Sequence, residues 1–554
     1  MSPLEQPPGP GGRSPRRLQL ALHPLALGAV SGALALVLFV WGPPGPDVPA
    51  HLYEIAEFRS RGFHAWDNLW YGGRYAEVGY SLIFAPAAAT LGLATVLIGS
   101  AAVASAAFAD LVRRRWGAHA WPAAAAFAIL APSPILSGQY PFMLGTGLGL
   151  GALWALQTRH VGAAVVLLLL SSAASPLALV FVLVPLGAAA VTSPGWWRDR
   201  WLVLGAAGAG VVVLTQVAQQ VAFARPGARY PSGAAEAVAI GLLCAAGIVL
   251  CGRLPRQHLM RWVFALYAAL ATVALTVPST LGGNCVRLAI YMGAPLLLVP
   301  MAARRFRPYA AVIPVLLLAL TWQGTYLVRL ALANSASPSA REAFWRPAAA
   351  FIARHGDPGH RVEVVATAGN WESYRLPRLD IPLARGWFRQ DDWPQNAPLY
   401  EPLSRDSYLA WLRDMGVRYV LLPDAHRDTS SRAEALLVQR GGVLPQVARL
   451  PDWTVYEVPN ATPIVTPASG ARIVALDEET VTVRVRRAGS YRLRLTYTPY
   501  WRTTGPGCVA PRAPWGTVLR ARAPGTVVLR FEVTPSRILD AVLGGPECSP
   551  ADGG

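Results

Sequence analysis

Apolar residues run through the first part of the chain in blocks of roughly 18 to 25, about the length a helix needs to cross ~30 Å of hydrocarbon. The blocks stop near residue 331. Setting apolar runs against turn signals predicts eleven membrane spans, at 18–41, 79–112, 119–136, 140–157, 161–173, 176–192, 201–222, 233–251, 261–277, 285–302 and 309–331. Block 79–112 is long for one crossing, and the run 161–192 is divided at Ser171-Ser-Ala-Ala-Ser-Pro176. Farther on the texture changes. Ala348–Arg354 and Ser407–Met415 read as helices, and Arg361–Ala366, Val417–Leu422 and Trp453–Val458 as strands, an alternation that predicts an α/β subdomain. After Asn460, period-two alternation in Thr480–Arg486, Tyr491–Tyr497 and Thr526–Val533, broken by Gly and Pro, predicts a small β-sandwich. The expected fold class is an α-helical polytopic membrane protein with a C-terminal α/β plus β-sandwich region. Its divisions are a tail at 1–17, a transmembrane domain at 18–334 with a first loop at 42–78, an α/β subdomain at 335–460 and a β-sandwich at 461–554.

Composition agrees: 53% hydrophobic residues, 14% charged residues and a mean hydropathy of +0.35 exclude an ordinary soluble protein. The formal charge of +18 comes from arginine alone, since the chain has no lysine. These arginines lie in short clusters between apolar blocks rather than in a stripe with interleaved aromatics, so they read as topology signals and not as a nucleic-acid surface. With the N-terminus inside, Arg113–Arg115, Arg159, Arg198, Arg200, Arg253, Arg256, Arg261, Arg304, Arg305 and Arg307 all fall on the cytoplasmic side, and the opposite short loops hold only Arg225 and Arg229. The expectation is a multi-pass plasma-membrane protein whose N-terminus is cytoplasmic and whose loop 42–78 and C-terminal domain are extracytoplasmic. Residues 1–17, rich in Pro and Gly and ending in Arg13, Arg16 and Arg17, read as a disordered cytoplasmic tail before an uncleaved first span. Of five cysteines, Cys244, Cys251 and Cys285 fall in or beside apolar blocks, whereas Cys508 and Cys548 would be able to pair if their domain lies outside the cytoplasm.

The first loop is unusually rich in acids and aromatics. Asp47, His51 and Glu54 recur at i, i+4 and i+7, on one face of a helix. They suit a proton-accepting site or a divalent-cation site; equally, Asp47 before Pro49 suits an N-cap, with His51 and Glu54 on the wet face of an interfacial helix. Trp66, Trp70, Tyr71 and Tyr75 suit stacking on sugar faces or an interfacial aromatic belt, and Asp67 and Arg74 lie among them. Arg287, just inside a span after the loop that carries Asn284, is a membrane-embedded charge of the kind that tends to be functional; the rival reading is snorkelling to headgroups. Gln139 and Tyr140 share that side and suit a turn or a cavity wall.

An Asp just after the first span, in a long loop with helical character, followed by further spans and a soluble C-terminal domain, resembles the GT-C superfamily of polytopic membrane glycosyltransferases. The Asp47-Val-Pro-Ala-His51, Trp66-Asp-Asn-Leu-Trp-Tyr-Gly-Gly73 and Gly282-Gly-Asn-Cys-Val-Arg287 segments are similar to an uncharacterised actinobacterial branch of such proteins. The family's frequent paired acids are absent, because Val48 follows Asp47. The resemblance implies transfer of a sugar from a polyprenyl-phosphate donor to a cell-envelope glycan or lipid acceptor on the outer face, with inversion. It implies Asp47 as base, with His51, Glu54, Trp66, Asp67, Trp70, Tyr71, Arg74, Arg225, Arg229, Asn284 and Arg287 as substrate contacts. Any metal would fall to Asp47, His51 and Glu54. Two rivals are a multi-span transporter or flippase of envelope precursors, which would more often show paired half-repeats, and a non-catalytic assembly scaffold. The enzyme reading requires Asp47, His51 and Arg287 to face one cavity roofed by the C-terminal domain.

Overall fold

The computed structural model describes residues 23–543 and Cys548, except 194, 226, 253, 255, 256, 335 and 336. The predicted tail, the start of the first span, and Arg253 and Arg256 lie outside the described residues. Each predicted apolar block is helical. The first span is α1 (Pro24–Trp41), and the loop helix α2 (Val48–Arg61) follows. The long block divides into α3 (Phe84–Leu91) and α4 (Leu93–Trp116) at Gly92, whose positive φ of 87° breaks the helix. Next come α5 (Trp121–Leu130), α6 (Pro134–Ser137), α7 (Tyr140–Gln157), α8 (Val161–Ala174) and α9 (Pro176–Thr192). The split between α8 and α9 falls where Ser175 turns extended and its hydroxyl caps the Ala178 N–H, with Pro176 opening α9. The remaining membrane helices are α10 (Arg200–Ala222), α11 (Ala234–Cys251), α12 (His258–Thr276), α13 (Val286–Ala303) and α14 (Tyr309–Asn334). Among the described residues, seven helical stretches are long and apolar enough to cross a membrane, and Val161–Ala174 and Pro176–Thr192 are shorter apolar helices. The chain is a polytopic helical membrane protein with a C-terminal α/β and β region.

After α15 (Glu342–His355), the α/β subdomain holds β3 (Arg361–Val364), β4 (Val417–Pro423), β5 (Gln446–Leu450) and β6 (Trp453–Glu457), in the sheet order β3-β4-β6-β5. β3 and β4 are parallel, which demands a long crossover. Residues 365–416 supply it, with α16 (Glu372–Arg375) and α17 (Arg405–Asp414), and they fold down onto the membrane helices. α18 (Arg432–Gln439) follows β4. The predicted sandwich is present as two antiparallel four-stranded sheets whose inward residues, among them Val481, Val483, Leu519 and Leu529, are buried. Cys508 and Cys548 are disulfide-bonded.

The first loop is built into both C-terminal subdomains. Its hairpin, β1 (Trp66–Asp67) with β2 (Arg74–Tyr75), pairs Trp66 with Tyr75. Leu383 donates its backbone N–H to Leu69 O at 2.8 Å and Thr496 to Gly72 O at 2.7 Å, while Asn68 donates to Glu478 O at 2.8 Å. These bonds satisfy backbone groups that would otherwise be buried unpaired.

Candidate active site

A cavity of about 890 Å³ lies between the membrane helices and the α/β subdomain. Its walls come from helix ends on one face of the bundle: the starts of α7, α9 and α13 and the last turns of α10 and α14. Its roof is the crossover, with Asn370, Trp387 and Arg389, and the loop after β4, with Arg427, Asp428 and Thr429.

Asp47 enters this cavity from the start of α2. Its backbone N–H is held by Ser137 O at 3.1 Å, and the chain around it presses on the α6–α7 turn so closely that a Cβ on Gly45 would stand 2.2 Å from Ser137 C and one on Gly138 2.5 Å from Val48 N. Only glycine fits there. From the roof, Asn370 donates to Pro46 O at 3.3 Å. Although Asp47 occupies the N-cap position, its carboxyl makes no capping hydrogen bond. Burial pushes that carboxyl up to about 6, against the downward pull of Arg287, His51 and Arg389. Asp428, the other lining carboxylate, is paired with Arg389, so its acid stays ionised below the usual range despite burial.

Arg287 lines the cavity from the first turn of α13, and Tyr80 lines the same cavity. It also lines a second, apolar cavity of about 760 Å³ inside the bundle. That cavity follows α13 from Arg287 to Val299, about 18 Å at 1.5 Å per residue. At its far end lie Arg115, Trp116 and Trp196. Arg287 therefore stands where a polar chamber meets an apolar channel.

Arg225 and Asn284 also line the polar cavity. Arg225 is tied to Asp391 and donates to Gly79 O at 2.6 Å, and Asn284 donates to Thr280 O at 2.8 Å. Gln139 lines it and accepts from Tyr291 at 3.0 Å, whereas Tyr140 packs beside His51. Arg229 lies over the Trp393 ring at 5.2 Å and is not among the lining residues.

The remaining loop residues are elsewhere. His51 is fully buried, not on a wet helix face, with Tyr80, Phe84, Tyr140, Trp387 and Phe388 around its ring at 5.4 to 6.5 Å. Its Nδ1 meets Glu54 at 3.1 Å, Glu54 meets Arg74 at 3.4 Å, and Arg74 meets Asp391, the partner of Arg225, at 3.7 Å. Burial alone would raise Glu54, but its hydrogen bond to His51 and the charges of His51 and Arg74 hold it below the usual range. Asp47 faces the cavity while His51 and Glu54 face this buried network, so the three do not form a ligand set. Among the described residues no group of three His, Cys, Asp or Glu is arranged to hold a metal ion.

The aromatics expected to meet sugar are consumed in docking. Trp66 stacks on Phe531 at 5.2 Å and meets Trp501 edge-on, Trp70 stacks on Tyr53 at 5.0 Å, and Tyr71 donates to Phe388 O at 2.9 Å. Arg74 lies over Trp70 and Phe388, and Asp67 accepts the Leu69 N–H at 2.8 Å. All five are buried and absent from the cavity wall, because the hairpin that carries them is covered by the domain it anchors. Sequence reasoning missed Arg389, Arg427 and Arg432 on the roof and Arg329 near the end of α14. Arg329 carried a signal, as a charge inside an apolar block; the other three carried none that set them apart from the chain's remaining arginines.

No family model matches the chain, and no curated protein matches it. Among solved structures it is similar to the cryo-EM structure of the arabinofuranosyltransferase AftD from mycobacteria, with a TM-score of 0.43 and 16% identity over 86% of this chain and 42% of that one. The chain spans less than half the length of that structure.

Proposed function

We propose that the chain is a membrane glycosyltransferase of GT-C type that moves a sugar from a polyprenyl-phosphate donor to a cell-envelope glycan or lipid acceptor, with the domain-bearing face outside the cytoplasm. The observation that carries this reading is Asp47, the one lining carboxylate without an ion-pair partner among the described residues, sharing a chamber with Arg287 at the mouth of an apolar channel. An isoprenoid tail suits the channel and its phosphate suits Arg287. The Cys508–Cys548 bond supports an oxidising compartment for the C-terminal domain.

In this mechanism Asp47 accepts the proton of the acceptor hydroxyl as that oxygen bonds to the anomeric carbon. The bond from that carbon to the phosphate oxygen breaks, the polyprenyl phosphate leaves with the electron pair, and Arg287 stabilises the charge it gains. A retaining route through a covalent glycosyl-enzyme intermediate needs a carboxylate free to act as nucleophile besides the base. Asp428 is held by Arg389, which favours a single displacement with inversion.

The test is transfer from a labelled polyprenyl-phosphate sugar by the purified full chain, beside Asp47→Asn. Turnover that survives unchanged in the variant removes Asp47 as base, and no turnover with any polyprenyl-phosphate sugar sinks the enzyme reading.

A further inference from the structure

The polar cavity holds more positive charge than a donor phosphate requires. Six arginines and two aspartates line it. Arg225 is ion-paired with Asp391 and Arg389 with Asp428, whereas Arg287, Arg329, Arg427 and Arg432 form no ion pair with a carboxylate among the described residues, and Asp47 offsets Arg287 only through space. Like charges gathered around one chamber repel, and the low-dielectric walls of a cleft strengthen that field. The arrangement therefore favours bound anions.

The four cations also differ in position. Arg287 is the residue shared with the apolar channel. Arg427 and Arg432 belong to the α/β subdomain, on the loop after β4 and at the first turn of α18, where Arg427 is partly buried and Arg432 is exposed. Arg329 projects from the last turns of α14 at the rim. The Arg427 Nε is buried and has no hydrogen-bond partner, so the guanidinium keeps a donor unused. Thr429, between the two roof arginines, adds a hydroxyl to the same wall. A glycosyl phosphodiester brings about one negative charge and leaves as a phosphomonoester with at most about two. Arg287 is carried by a membrane helix and Arg427 and Arg432 by the α/β subdomain, so the chamber offers cations on two separate elements, more than the charge of one donor phosphate calls for.

We infer that Arg427 and Arg432, with Arg329 at the rim, form a second anion subsite that grips a phosphate or carboxylate of the acceptor, so that the acceptor is an anionic glycan or glycolipid. This rests on the glycosyltransferase reading above. Guanidinium forks suit both anions, since each offers paired oxygens. The subsite would hold the acceptor by its charge while a hydroxyl reaches Asp47. The headgroup of an anionic lipid has the same chemistry and is the competing occupant.

The experiment uses the full chain in nanodiscs of phosphatidylcholine and fluorescent maltotriose with and without a terminal phosphate, with no donor present. The expected result is binding of the phosphorylated probe at least tenfold tighter than of the neutral one, weakened by salt. That preference should vanish in Arg427→Gln/Arg432→Gln and return in Arg427→Lys/Arg432→Lys, where charge is kept. Equal binding of the two probes, or a preference that persists in the Gln variant, overturns the subsite. Discs that include phosphatidylglycerol form the second arm: if that lipid abolishes probe binding to the wild type, and the Gln variant fails to retain it, the occupant is a headgroup and the acceptor assignment falls. A charge preference that holds while no polyprenyl-phosphate sugar is turned over sinks the enzyme reading and leaves the anion subsite standing.

Discussion

The Arg287 guanidinium is the largest of the charges that pull the Asp47 carboxyl down, yet burial prevails and leaves that group near 6. The two residues come from unrelated elements, a loop helix and a membrane helix, and meet only because the α6–α7 turn holds the start of α2 in place. A carboxyl poised there is ionised at neutral pH yet basic enough to take a proton.

That balance sets the pH profile. An essential base near 6 makes log kcat/KM rise with unit slope as pH climbs toward about 6 and level off above it. Asp47→Asn should cost about a hundred- to ten-thousand-fold in rate. Arg287→Gln removes a charge that favours the carboxylate, so besides slowing transfer it should move the inflection upward. A wild-type profile that is flat from pH 5 to 8 would rule Asp47 out.

Trp66→Ala separates docking from sugar binding. The ring is buried between Phe531 and Trp501, and its removal should cost about 3 to 5 kcal/mol of the contact between the loop and the sandwich. The expected readout is a lower melting temperature and protease cleavage within residues 42–78. An unchanged melting temperature with a raised KM for the acceptor would instead restore Trp66 as a sugar platform.

The legible and illegible parts of this fold divide along sequence separation. Period-two alternation located Thr480–Val485 and Gly525–Phe531, and apolar length located the membrane helices, because each pattern reports burial within one element. Asp47 and Arg287 were legible for a related reason: a charge beside or within an apolar block is costly and stands out. The hairpin aromatics misled, since a Trp-rich loop looks the same whether it meets a ligand or a domain hundreds of residues away. Arg389, Arg427 and Arg432 reach the cavity through the parallel β3–β4 crossover and the loop after β4, a topology that no local pattern encodes. Strand β5, largely exposed at its sheet edge, lacks the inward alternation that marks the others.

Asp391 bridges Arg225 of the membrane domain and Arg74 of the first loop from its own place in the α/β subdomain. Asp391→Asn leaves the partly buried Arg225 guanidinium without its carboxylate and Arg74 with Glu54 alone; breaking a fully buried pair from one side costs about 3 to 5 kcal/mol, and the partial exposure of Arg225 lowers that figure here. Hydrogen exchange should accelerate together at residues 70–80, 225–230 and 385–395. Faster exchange in only one of these segments would mean that the three-way junction is not one cooperative unit.

Glu77 gives the pH dependence of the fold itself a test. Burial, aided by the negative charge of Glu54, raises its carboxyl from 4.5 to about 8, while the His64 N–H donated to it at 3.3 Å opposes the rise. The folded state therefore holds this proton more tightly than the unfolded chain does. The stability so gained is complete below about 4.5 and is lost as pH climbs through about 8. Gln at this position is neutral throughout and its carbonyl still accepts the His64 N–H. Glu77→Gln should then match the wild type in melting temperature near pH 4.5 and exceed it increasingly toward pH 8. Other buried carboxyls, among them Asp67 near 6 and Glu372 near 7, tilt both proteins alike, so the difference between the two melting curves isolates Glu77. Curves that stay parallel from pH 4.5 to 8 would show that Glu77 ionises as readily in the folded protein as in the unfolded chain.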